Sequence, residues 1–209
     1  MNILLLFFGV CIAYLIGSIP TAYLFGRIFK DIDIREYGSG NVGATNIFRV
    51  VGRLPGVIVL IIDILKGLLC TTWLATAFLN LAPFSRPELY KILCGSASII
   101  GHNWTIFLRF RGGKGVATSA GVLIGLVPQI FWLSFVVWLI VFTITGYVSV
   151  SSIISAISAP IFSLVFGQPP ELVIFLCITC ILIVYKHRSN IKRLQLGEEK
   201  KISIFKRGH

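Results

Sequence analysis

Two glycine-rich stretches hold the side chains best placed to do chemistry. The first reads Gly38-Ser-Gly-Asn-Val-Gly-Ala-Thr-Asn46, with Arg49 close behind. Gly38, Gly40 and Gly43 let backbone approach a ligand closely. Ser39, Asn41, Thr45 and Asn46 add hydroxyls and amides, and Arg49 adds a rigid guanidinium fork that suits phosphate. The second reads Gly112-Gly-Lys-Gly-Val-Ala-Thr118 and follows Gly101-His-Asn103. A Gly-Gly-Lys-Gly turn that opens a helix offers N–H groups and the positive end of the helix dipole, here with Lys114 alongside. Both stretches read as anion seats. Neither is a nucleotide fingerprint. Gly38–Gly43 spells GxGxxG but lacks the flanking strand, and Lys114 is followed by Gly115 rather than Ser or Thr.

A third cluster, Tyr185-Lys-His-Arg-Ser-Asn-Ile-Lys-Arg-Leu-Gln-Leu-Gly-Glu-Glu199, begins where an apolar run ends. His187 and Asn190 are i, i+3 and share a helical face. Taken singly, this cluster would anchor to anionic lipid; beside two anion seats it joins the candidate site. Ser149, Ser151 and Ser152 open another apolar run, as helix N-caps or as ligand donors. Asp63 and Lys66 stand one turn apart inside a span, as a structural ion pair or as support for the site.

The elements that carry these residues are membrane spans. The chain has 209 residues, 56% of them hydrophobic and only 13% charged. A soluble domain is about 25% charged. The net charge of +11 would suit nucleic acid, but the charges sit in clusters between long neutral runs, and Gly115–Pro170 contains none. We expect an all-α polytopic membrane protein, a single domain over 1–209 with a basic tail over 194–209. The five cysteines lie in apolar runs and read as buried hydrophobes, not as redox or metal ligands. The N-terminal run lacks a basic start and reads as a retained first span.

The expected spans are Ile3–Phe25, Leu54–Ala82, Ile92–Leu108, Val116–Thr145, Ser149–Phe166 and Leu172–Tyr185. Basic loops face the cytoplasm. Placing Arg27–Arg53, Arg109–Lys114 and the tail inside accounts for 16 of the 19 Lys and Arg. The N-terminus is then outside and the C-terminus cytoplasmic. The chain must cross an even number of times between Lys114 and Lys186, which requires a break at Pro128. The expectation is seven spans, with five as the alternative.

These motifs in this order resemble the bacterial membrane glycerol-3-phosphate acyltransferases that use acyl phosphate, the PlsY type. The match runs from Gly17-Ser-Ile-Pro20 to Gly197-Glu198 and includes Asp63-x-x-Lys-Gly67 and His187 with Asn190 and Arg193. It departs at Thr105, where the family pattern has Pro, and at Gly146, where it has a basic residue. The resemblance implies transfer of an acyl group from acyl phosphate to sn-glycerol 3-phosphate, giving lysophosphatidate and phosphate, with no cofactor and no metal. It implies a catalytic set of Ser39, Arg49, Lys114, His187 and Asn190. The binding set is Gly38, Gly40, Asn41, Thr45, Asn46, His102, Asn103, Gly112, Gly113, Gly115, Thr118, Ser149, Ser152 and Arg193. His187 could act as base or as phosphate binder. The His-x4-Asp pattern of thioester-using acyltransferases is absent. Expected partners are the two substrates, membrane lipid and the soluble enzyme that makes acyl phosphate, with no nucleic acid. The expected location is the bacterial inner membrane with a cytoplasmic active site. A transporter for a small organic phosphate is the alternative; such sites lie near the midplane, whereas these polar groups sit at span ends.

Overall fold

The structure, a computed structural model, describes residues 3–202; the last seven residues of the basic tail lie outside it. The described residues are helical, without a strand. They divide into two compact units, Met1–Pro128 and Gln129–His209.

In the first unit, α1 (Ile3–Ser18) and α2 (Thr21–Lys30) share one apolar stretch, interrupted at Ile19–Pro20. Proline has no N–H to continue the ladder. A short α3 (Ala44–Val50) follows the first glycine turn. Next, α4 (Arg53–Leu69) passes through a π-helical turn, Cys70–Leu74, into α5 (Ala75–Leu81). The helix α6 (Pro87–Asn103) starts with proline in its first turn, where a missing N–H is harmless. The unit ends with α7 (Val116–Leu126).

Small residues set the packing. A Cβ on Gly17 would overlap the backbone of Ser98, and one on Gly101 would overlap Tyr14 O. A Cβ on Gly67 would overlap Thr118 O, and one on Gly121 would overlap Ile64 O. Thus α1 lies backbone-close on α6, and α4 on α7, the contact that membrane helices use in place of a hydrophobic driving force.

The second unit holds α8 (Pro128–Thr145), α9 (Val148–Val165), α10 (Pro170–Lys186) and α11 (Arg188–Gln195). A helix boundary stands at Pro128, where the parity argument requires one. Among the described residues four helical stretches are long and apolar enough to cross a membrane: Ile3–Lys30, Arg53–Leu81, Pro128–Thr145 and Val148–Val165. The pair α10 and α11, bent by 51°, makes a fifth if counted as one. Large apolar side chains point outward, with Trp73 and Ile144 each 78% exposed, as lipid-facing residues do.

Two expected boundaries move. The first span continues past Phe25 to Lys30, because α2 has a strongly one-sided apolar face and keeps Arg27 and Lys30 in its last turn. The third begins at Pro87 and ends at Asn103; Trp104–Leu108, expected inside it, forms a turn capped by Thr105.

Candidate active site

The first glycine turn is built around Asn46. This side chain is 1% exposed. Its amide donates to Ile34 O (3.2 Å), Tyr37 O (3.0 Å) and Asn41 O (3.1 Å). Its Oδ1 accepts from Ser39 N at 3.0 Å. Asn46 therefore serves the turn from within, and it is this bond that fixes the exposed Ser39. Gly38 has φ +63° and lies so close to Asn46 Oδ1 that a Cβ would overlap it. Asp33 anchors the head of the turn. It caps the turn Ile34–Glu36 by accepting from Arg35 N and takes the Arg35 guanidinium, Nε to Oδ1 at 2.9 Å. The Arg35 hydrogen bond holds its carboxyl at about 2, well below the usual carboxylate range. Thr45 and Arg49, both half-buried, lie on α3 directly behind the turn.

The second glycine turn folds back on the end of α6. Gly113 N donates to His102 O (3.0 Å) and Gly112 N to Asn103 O (3.2 Å). Those two N–H groups are committed to the backbone. The amides of this turn suited to an anion are the ones that follow, at the start of α7, where the first N–H groups have no helical partner. Gly115 has φ +80°, and a Cβ there would stand 2.9 Å from Asn103 Oδ1, so the buried Asn103 underlies the turn. Lys114 is half-buried within it, and Thr118 is wholly buried in the first turn of α7. Thr105, the departure from proline, caps its own turn: its hydroxyl accepts from Phe107 N at 3.3 Å and donates to Ser18 O. Tyr14 also donates to Trp104 O, at 2.8 Å. Both bonds tie the segment just past α6 to the C-terminal part of α1.

The two turns meet. A Cβ on Gly113 would stand 2.6 Å from Val42 O and would overlap His102 Nε2. Ser18, Pro20, Val42, Asp63, Lys66, His102, Thr105, Gly112 and Gly113 share one small opening. Asp63 and Lys66, expected to pair, do so at 2.7 Å, both buried.

In the second unit the structure gathers Ser149, Asn190 and Arg193 on one acceptor that the sequence motifs did not single out. The buried Glu199 carboxylate accepts from Ser149 Oγ (3.0 Å), Asn190 Nδ2 (2.7 Å) and Arg193 Nε (2.8 Å). Burial pushes this carboxyl up, but the hydrogen bonds from Asn190, Arg193 and Ser149 outweigh it and hold the group below its ordinary value. The available signal was an acidic residue closing a basic cluster. The segment is pinned further by Ile202 N to Gly146 O at 3.0 Å. Gly146, which replaces an expected basic residue, has φ +73° with the stem of Lys201 against it; the Lys201 ammonium lies over the Tyr147 ring, 5.1 Å from its centre. Ser152 turns away from this group and accepts from Trp138 Nε1 at 3.3 Å.

His187 sits at the bend between α10 and α11, 3% exposed. Its Nδ1 lies 2.8 Å from Ile183 O. A carbonyl only accepts, so Nδ1 carries the hydrogen. In the neutral ring Nε2 is then the acceptor.

Comparison with known proteins decides the family. The glycerol-3-phosphate acyltransferase family model matches residues 7–197. The chain belongs to this family. It is 46% identical over 191 residues to glycerol-3-phosphate acyltransferase 2 of Moorella thermoacetica, covering 91% of this chain and 94% of that one. It is also 46% identical to the glycerol-3-phosphate acyltransferase of Listeria monocytogenes serovar 1/2a, covering 91% and 93%. Crystal structures of PlsY (YgiH), an integral membrane glycerol 3-phosphate acyltransferase, superpose on it. The glycerol 3-phosphate form gives a TM-score of 0.83 at 39% identity, covering 95% of this chain and 96% of that one. The lysophosphatidic acid form gives 0.82 at 38%, covering 95% of each. The chain is therefore a multi-pass membrane acyltransferase of the PlsY type, and the transporter alternative has no support.

Proposed function

We propose that this family member takes its acyl group from acyl phosphate and passes it to the hydroxyl at position 1 of sn-glycerol 3-phosphate. Lysophosphatidate and inorganic phosphate are the products. The observation that carries this reading is the junction at Gly113, which sets two glycine turns against each other. One is followed in sequence by Arg49, and the other contains Lys114. Both substrates bear a phosphate, and a double anion seat suits an acyl phosphate better than a thioester.

In the reaction the glycerol hydroxyl oxygen attacks the acyl carbonyl carbon, and the bond from that carbon to the phosphate oxygen breaks. The electron pair leaves with phosphate, already a good leaving group. Positioning and charge neutralisation then supply most of the rate. Arg49 and Lys114 neutralise phosphate, with Ser39, Thr45 and the amides at the start of α7 as further donors. Asn46 and Asn103 shape the turns from beneath. His187 accepts the hydroxyl proton at Nε2 when neutral, or holds phosphate through Nε2–H when charged. Asn190, Ser149 and Arg193 act in the arrangement that Glu199 imposes. The whole chain works as one acyltransferase domain of seven spans in the bacterial inner membrane, its polar clusters on the cytoplasmic side, where the soluble enzyme that makes acyl phosphate can deliver it.

Purified protein in detergent micelles, given acyl phosphate and glycerol 3-phosphate, is expected to form lysophosphatidate and release phosphate without metal or added cofactor. Acyl-CoA or acyl-carrier protein supporting comparable turnover in the same preparation would overturn the donor assignment.

A further inference from the structure

The proposed mechanism leaves unused a buried charged group beneath the second glycine turn. Asp63, Lys66 and His102 are 2%, 5% and 8% exposed. A helical ion pair that only neutralised itself would engage its neighbours no further. This one reaches in two directions. Lys66 Nζ donates to Ile19 O at 3.1 Å, at the break between α1 and α2. On the other side, Asp63 Oδ1 faces His102 Nδ1 at 3.8 Å. That is an ion-pair distance, longer than a hydrogen bond. Contacts of this kind commonly tighten once a ligand is seated. The other ring nitrogen, Nε2, lies against Gly113, where a Cβ would overlap it. The same Gly113 touches Val42 of the first turn.

We propose that Asp63, braced by Lys66, is a positioning residue: it sets the His102 ring with Nδ1–H toward the carboxylate and Nε2 toward Gly113, and so fixes the Gly112–Gly115 turn for its substrate phosphate. A carboxylate favours the N–H on the ring nitrogen that faces it, as in the carboxylate–histidine pairs behind metal ligands. The opposite tautomer would aim a lone pair at the carboxylate. Lys66 holds the carboxylate from its other side at 2.7 Å and ties it to the α1–α2 break. Four separate stretches of the first unit are thereby referred to one buried group. Ser18 Oγ, buried and without a hydrogen-bond partner among the described residues, lines the same opening. The inference rests on the reading of the glycine turns as phosphate seats.

The test uses the full chain in nanodiscs with 15N-labelled histidine, the His102 signals being assigned by their loss in His102→Gln. Wild type is expected to show His102 protonated on Nδ1 with an unprotonated Nε2; protonation on Nε2 alone overturns the proposal whatever any variant does. Removing Asp63 alone would strand a buried ammonium, so the variant is Asp63→Asn/Lys66→Met, which deletes both charges. It is expected to mix the His102 tautomers. It should also raise KM for one phosphorylated substrate by about tenfold or more, with kcat and the other KM changed by less than about threefold. An unchanged His102 spectrum, or an equal loss for both substrates that follows the loss of folded protein, is what a purely structural pair would give and overturns it. A wild-type protein that transfers no acyl group from acyl phosphate refutes the donor reading, while the tautomer measurement still decides the coupling of Asp63 to His102.

Discussion

Replacing Gly113 by alanine adds one methyl group at the junction of the two turns. The new Cβ would stand 2.6 Å from Val42 O and 3.0 Å from His102 Cδ2, and would overlap Nε2. Ordinary contacts of this kind begin near 3.4 Å, so the neighbours must give way by several tenths of an ångström. The His102 ring is buried and Val42 O is backbone, so neither yields as a flexible side chain would. Overpacking of this type costs about 1–3 kcal/mol, which lowers the melting temperature by roughly 2–4 °C per kcal/mol in a chain of this size. The larger effect falls on activity, because the turns part and a misplacement of about 1 Å can cost about 100-fold. We expect kcat/KM for acyl transfer from acyl phosphate to fall about 10- to 100-fold. Gly167→Ala is the control. It places alanine at positive φ, +61°, with nothing within 4 Å. Left-handed strain costs it about 1–2 kcal/mol, a comparable loss of stability, while kcat/KM stays at the wild-type value. The assay is phosphate release in micelles, with thermal unfolding followed on the same preparations. Wild-type kcat/KM in Gly113→Ala would refute the claim that this junction sets the site.

Three further outcomes follow from the same geometry. Arg49→Ala and Lys114→Ala are each expected to lower turnover at least about tenfold with membrane insertion intact, since a charge-assisted contact contributes about 1.5–3 kcal/mol; undiminished activity removes that residue from the site. Activity with acyl-CoA should stay at background in a preparation free of other acyltransferases. Asp33, held at about 2 by Arg35, has a folded pKa below its unfolded one. The stability it adds is therefore present above about pH 4 and lost as pH falls toward 2; Asp33→Asn should flatten that acid limb of the thermal-stability curve, and an unchanged limb counts against the assignment.

The fold was legible where a single residue forbids an alternative. Pro128 has no N–H to continue a helix and α8 begins there, whereas α9 tolerates Pro160 in its interior. Pro20 separates α1 from α2 for the same reason as Pro128, although the expected first span runs through it to Phe25. Boundaries that depend on tertiary tolerance were not legible: nothing local forces Cys70–Leu74 into a π turn, and Trp104–Leu108 is apolar enough to pass for helix. The glycine turns were legible as turns because their residue types have few other uses. Roles within them were not. Asn46 reads as a ligand donor, yet its amide and carbonyl are engaged by Ser39, Ile34, Tyr37 and Asn41. The N–H groups of Gly112 and Gly113 read as an anion seat, yet they pair with α6. Glu199 was invisible as a partner of Ser149, because fifty positions separate them and only the folded chain closes that distance.

The location of the site rests on topology, and topology can be tested directly. Arg109, Arg111 and Lys114 precede α7, and Lys186 ends α10. If both ends are cytoplasmic, the chain crosses four times between them, so α7 with its 11 residues must be a crossing. At 1.5 Å per residue it spans only about 17 Å, against a hydrocarbon core of about 30 Å. Such a helix is tolerable only where protein rather than lipid covers its polar ends. The structure supplies that cover along one side: Thr118 O and Gly121 lie backbone-close against Gly67 and Ile64 of α4, and Thr118, Ser119, Gly121, Val122 and Leu123 are buried. We therefore expect single cysteines at the exposed positions Glu36, Arg111 and Ser189, each in a cysteine-free background, to resist a membrane-impermeant thiol reagent in intact cells and to react after permeabilisation. Cysteines at Arg86 and Gln168 should react without it. Labelling of Arg111 and Ser189 from opposite sides would mean that α7 and α8 make one crossing rather than two. The expectation of seven spans would then fall.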